Sequence, residues 1–132
     1  MREQIEISNY IYVLIMLLVF GCSTAFSQTF INGDFKERIA KDIVAVEFWA
    51  DWNSANQFND LVKLKECEKY RLDIMAKADI QAQYNITGIP TIIIFDNGVE
   101  KERFLPNIMF QLDADKKTVQ NSVDTIKLNK FQ

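Results

Sequence analysis

The chain has 132 residues, 48% of them apolar, the size of one domain able to bury a core without disulfides. Its formal charge of -3 comes from 15 basic and 18 acidic residues scattered along the sequence, so it lacks the basic patch that nucleic-acid binding needs. Histidine is absent, which excludes histidine-based triads and histidine zinc sites; no metal and no other cofactor is expected.

Tyr10 to Phe20 is an unbroken apolar run, preceded by a polar stretch containing Arg2 and followed by Gly21, Cys22, Ser23 and Thr24. It has the length of a signal-peptide core, whereas a spanning helix needs about 20 apolar residues. Three readings stay open. Ala25-Phe26-Ser27 fits cleavage before Gln28, Val19-Phe20-Gly21-Cys22 loosely fits a lipobox that would lipidate Cys22, and the segment can also stay uncleaved as an anchor. Each places the remainder outside the cytoplasm, in the periplasm or at the cell envelope, although Glu3 and Glu6 make the n-region less positive than usual. The expected organisation is residues 1–27 as signal peptide or anchor and residues 28–132 as one domain.

Between Phe30 and Lys41 the residues Phe35, Ile39 and Ala40 stand at helical spacing, with Asp34 near the start and Lys41 at the end, as the helix dipole prefers. Ile43 to Trp49 is apolar at nearly every position except Glu47, the pattern of a central strand covered on both faces. From Ser54 the spacing of Phe58, Leu61 and Val62 predicts a short helix, Tyr70 to Met75 a strand, and Ala78 to Tyr84 a helical turn or two. Thr91 to Asp96 is a β-branched run for a sheet interior, and Asn97-Gly98 is a type I′ hairpin signal. Val99 to Phe104, with several charges, reads as a more exposed edge strand. Asp115 is positioned to cap a final helix whose Val119, Val123, Ile126 and Phe131 face the sheet.

Two stretches carry a family resemblance. Val44 to Asn56, Val-Ala-Val-Glu-Phe-Trp-Ala-Asp-Trp-Asn-Ser-Ala-Asn, resembles the thioredoxin strand that ends in Trp-Cys-x-x-Cys, with Asn53 and Asn56 where the two cysteines stand. Gly88-Ile89-Pro90-Thr91-Ile92-Ile93-Ile94-Phe95, followed by Asn97-Gly98, is similar to the family's cis-proline loop, next strand and hairpin. The resemblance implies a thioredoxin-like α/β fold, a three-layer α/β/α sandwich around a central mixed sheet of about four strands.

It also implies roles. A thioredoxin cysteine at a helix start is a stabilised thiolate that attacks a disulfide, and its partner resolves the intermediate. Asparagine has no sulfur to exchange, so dithiol chemistry at Asn53 and Asn56 is excluded. Asn53 and Ser54 are left to cap the helix start, or to serve a non-covalent site. With Pro90 in the family's cis position, Trp52, Asn53, Ile89 and Pro90 would line a shallow groove for an extended peptide. Glu47 matches the family's buried acid and Arg71 falls where the family often has a lysine, which predicts a structural ion pair. Cys67 reads as a small buried hydrophobe or, alternatively, as a reactive thiol, with Lys65 and Lys69 favouring a thiolate and Glu66 and Glu68 opposing it.

The leading expectation is a non-catalytic binding or scaffold protein of the cell envelope, with a protein or peptide partner, no nucleic acid, and membrane contact only through the N-terminal segment. The alternative is a thiol-dependent redox protein using the single Cys67.

Overall fold

In the computed structural model, residues 34–132 are described; the predicted signal or anchor segment and Cys22 lie outside them. Helix α1 spans Phe35–Ile39, and Asp34 caps it by accepting a hydrogen bond from Lys36 N at 2.8 Å. Its two buried residues, Phe35 and Ile39, lie one turn apart and turn the same face to the sheet.

Strand β1 (Ile43–Trp49) is buried along its whole length. Strand β2 (Glu68–Asp73) pairs with it in parallel, and β3 (Thr91–Asp96) pairs with it antiparallel. β4 (Val99–Phe104) adds to β3, giving the order β2-β1-β3-β4. The bounds of β3 and β4 match the sequence expectation because the turn fixes them: Asn97 (φ 49°) and Gly98 (φ 83°) both take the left-handed conformation a two-residue hairpin requires. Asn97 N and Gly98 N then donate to Asp42 O and Ile39 O, tying the hairpin to the end of α1.

Alternating residues of the central strands feed two cores. Val44, Val46 and Phe48 face α1 and helix α2 (Ala78–Gln83), whereas Ile43, Ala45, Ile92 and Ile94 face the opposite layer. That second layer holds Phe58, Leu61 and Leu64 together with helix α3 (Lys116–Asn129), capped as expected by Asp115, which accepts from Thr118 N at 2.8 Å. The result is the expected three-layer sandwich with a four-stranded mixed sheet.

Three local expectations need correction. The helix predicted from Ser54 is instead two short 3₁₀ helices, Asp51–Asn56 and Asn59–Lys63, separated by extended backbone at Gln57. Phe58, Leu61 and Leu64 are all buried, and their three-residue spacing is the 3₁₀ repeat. β2 begins two residues earlier than predicted, because Glu68 and Lys69 gain ladder partners in Val44 and Ala45. Phe131 is 80% exposed: it lies past the end of α3 and off the face that buries Val119 and Val123.

Candidate functional site

The end of β1 delivers Trp49, Ala50 and the first 3₁₀ helix to one end of the sheet. Trp52 there is 61% exposed, and Asn53, at a kink in that helix, is buried. Opposite stands the Ile89–Pro90 peptide, which is cis. The structure therefore brings Trp52, Asn53, Ile89 and Pro90 to one end of the molecule. A cleft of about 410 Å³ opens beside them between Thr87–Gly88 and the Leu105–Phe110 segment. Gly88 is required there, because a Cβ would come within 2.9 Å of Pro106 Cγ.

Asn53 does not cap the helix, as was expected of it; the first 3₁₀ helix has no side-chain cap. Its amide nitrogen donates instead to Ile89 O at 3.2 Å and to Phe110 O at 3.0 Å. Its Oδ1 accepts from Asn56 Nδ2 at 2.9 Å, so the two asparagines are bonded to each other. Three segments meet on one side chain: the β1 exit, the cis-proline loop and the loop after β4. Phe110 completes the contact by packing edge-on against Trp52, with ring centroids 5.5 Å apart. Phe110 has φ 57°, a left-handed conformation that costs a residue other than glycine about 1–2 kcal/mol and has to be held by its neighbours. Sequence reasoning missed this loop because it has no periodic pattern.

Beneath that end of the sheet lie Glu47 and Arg71, both essentially inaccessible. Arg71 Nε and Nη2 each approach Glu47 Oε2 at 2.6 Å. The other carboxylate oxygen accepts from Phe58 N at 2.7 Å, and Arg71 Nη2 donates to Phe58 O at 3.2 Å. The pair thus satisfies both backbone groups of the residue at the break between the two 3₁₀ helices, where a continuous helix would have satisfied them itself. Burial pushes the Glu47 carboxyl above its ordinary range, against the opposing pull of Arg71 and the Phe58 amide.

Cys67 is elsewhere. It precedes β2 at the opposite end of the sheet, about 20 Å away along the strand direction, so it does not act together with Asn53. It is half-buried and forms part of the wall of an open cavity of about 740 Å³ that also holds Arg38, Asp42, Glu66, Lys69 and Tyr70. Burial is the main cause that raises its thiol from 9.0 to about 11; Lys69 pulls it down, and Asp124, Glu66 and Glu68 push it up. Asp124, from α3, is a neighbour that sequence reasoning could not place. Glu66 is itself paired with Lys127. Among the described residues, no group of three or more Cys, Asp or Glu side chains is arranged to hold a metal ion.

A family model described as Thioredoxin matches residues 27–112. The Thioredoxin of Mycoplasma genitalium is 38% identical over 82 residues, covering 51% of this chain and 74% of that protein. The Thioredoxin of Chlamydia trachomatis is 30% identical over 77 residues, covering 53% of this chain and 74% of that one. Among solved structures, a mutant thioredoxin from Halobacterium salinarum superimposes with a TM-score of 0.62 at 17% identity, covering 80% of this chain and 96% of that chain. Oxidised thioredoxin from Plasmodium falciparum gives 0.55 at 18% identity, over 75% and 97%. These structural likenesses show the fold.

The expectation of a non-catalytic binding or scaffold protein is corrected by these findings: the similar sequences are named Thioredoxin, with which the thiol-dependent alternative accords better. By the family match over residues 27–112 and the extent of these relatives, the chain belongs to the thioredoxin family.

Proposed function

We propose that the protein is a thiol-dependent redox member of the family that lacks the Cys-x-x-Cys pair and works through the single thiol of Cys67. The observation that carries this reading is the placement of Cys67 in the wall of an open cavity, with Lys69 as the cation acting on its thiol and Glu66 and Glu68 opposing it. The chemistry is monothiol exchange. The Cys67 thiolate attacks one sulfur of a disulfide R–S–S–R′, the Cys67–S–S–R bond forms, the original S–S bond breaks, and R′–S⁻ leaves with the electron pair. A second thiol then attacks the R sulfur and releases Cys67.

The raised thiol slows this step without abolishing it. A rise from 9.0 to about 11 lowers the thiolate fraction at neutral pH by ~100-fold. Higher basicity returns roughly tenfold in intrinsic nucleophilicity, so the net loss against an ordinary cysteine is about tenfold. The same basicity makes Cys67 a poor leaving group, which favours a long-lived mixed disulfide over rapid turnover. The domain begins near residue 28 and acts outside the cytoplasm, after export directed by the apolar Tyr10–Phe20 run.

Intact-mass measurement after incubation with a small symmetrical disulfide tests the reading. One adduct that maps to Cys67, persists in a Cys22→Ser chain and disappears in a Cys67→Ser chain is expected. Absence of any Cys67 adduct at pH 8 after hours of exposure overturns it.

A further inference from the structure

The loop between β4 and α3 is the least expected part of the molecule, and Cys67 plays no part in it. From Phe104 to Leu112 the sequence has no charged residue, in a chain that is 25% charged. Its tip nevertheless stands in the open: Ile108 is 98% exposed, Met109 66% and Leu105 52%, with Trp52 at 61% beside them. The loop is not held out by chance geometry. Asn107 organises it, its Oδ1 accepting from Met109 N at 2.8 Å and from Gln111 N at 3.1 Å. Asn107 O accepts from Phe110 N, Asn107 N donates to Gln111 O, and Asp113 N closes the base on Leu105 O.

We propose that this tip, with Trp52 beside it, is a lipid-facing contact that seats the domain on the surface of a bilayer. Two properties select lipid as the occupant. The first is that the backbone N–H groups of Asn107, Met109, Phe110 and Gln111 are satisfied within the turn itself, which lowers the cost of entering a medium that offers no hydrogen bonds. Ile, Met and Phe at the apex and Trp at its flank also follow the usual division between acyl and interfacial depth.

The second is the chain outside the described residues. Tyr10–Phe20 is apolar and residues 21–33 separate it from Asp34, a length of at most about 45 Å when fully extended. In the full chain, where that run stays attached, its engagement with a membrane therefore keeps the tip within reach of the same surface, at high effective concentration. The tip then adds a second point of attachment and fixes which end of the domain faces the lipid.

The test uses the full chain with phosphatidylcholine vesicles whose acyl chains are either plain or brominated. Trp49 is buried, so lipid-dependent quenching reports Trp52. Brominated chains are expected to quench Trp52 in the wild type, and an I108D/M109D variant is expected to lose that quenching while remaining folded, since both side chains are exposed. Wild-type Trp52 that stays unquenched on vesicle-bound protein overturns the proposal and leaves the tip to a protein partner. So does a chain that stays off the vesicles altogether, or quenching that I108D/M109D leaves unchanged.

Discussion

Replacing Arg71 by Met removes the cation from a buried pair and the donor to Phe58 O in one step. Glu47 is left inaccessible with only the Phe58 amide for a partner. Breaking one member of such a pair costs about 3–5 kcal/mol. With a urea dependence of about 1.5 kcal/mol/M for a domain of this size, the midpoint is expected to fall by about 2–3 M. The pH dependence has a definite sign. Glu47 already holds its proton above the ordinary range because burial outweighs the pull of Arg71, and losing Arg71 raises it further. A carboxyl raised in the folded state favours folding fully below its unfolded value of 4.5 and loses that contribution as pH rises through the folded value. The deficit of the variant is therefore expected to shrink on acidification toward 4.5. Urea melts of Arg71→Met at several pH values, with carbon-detected titration of the Glu47 carboxyl, measure both effects. A loss below about 1 kcal/mol with Glu47's titration unmoved refutes the reasoning.

Other outcomes follow from the same geometry. Exchanging both partners for leucine, which is often neutral for an ordinary buried pair, is expected to cost about 1–3 kcal/mol here, because the Phe58 amide loses its acceptor; chemical unfolding measures it. Asn53→Ala removes the donor to Ile89 O and Phe110 O and is expected to cost about 2–3 kcal/mol, with greater acrylamide access to Trp52 as Phe110 lets go. An unchanged melt together with unchanged Trp52 quenching would count against Asn53 as the pin. Alkylation of Cys67 by iodoacetamide is expected to accelerate about tenfold per pH unit until the thiol titrates near 11. A plateau at neutral pH would show that Cys67 is not held neutral by burial.

Legibility in the sequence was uneven, for physical reasons. β3, β4 and their turn could be read because Asn97-Gly98 fixes the hairpin and the β-branched run admits little else. Glu47 stood out because a charge in an otherwise apolar strand demands a partner, and the family resemblance pointed to Arg71 as that partner. The 3₁₀ segment was harder: Phe58 and Leu61 fit a period of 3.6 as well as one of 3.0, and only Leu64 decides between them. The role of Asn53 was out of reach, since two of its partners are backbone carbonyls 36 and 57 residues away. The same holds for the Asn107 turn, whose order comes from side-chain bonds to its own backbone rather than from any repeating pattern. Asp124 reaches the surroundings of Cys67 only because α3 folds back beside the segment before β2, where Gln120 bonds the Lys65 backbone and Lys127 pairs with Glu66.

The proposed redox role is tested most directly by catalytic turnover of a small disulfide at pH 8, with a low-molecular-weight thiol supplied to release the mixed disulfide. Above the direct reaction of that thiol with the disulfide, the wild type and a Cys22→Ser chain are expected to turn over slowly and equally, and Cys67→Ser is expected to add nothing. Full turnover by Cys67→Ser, or none by the wild type, would contradict a redox function carried by Cys67.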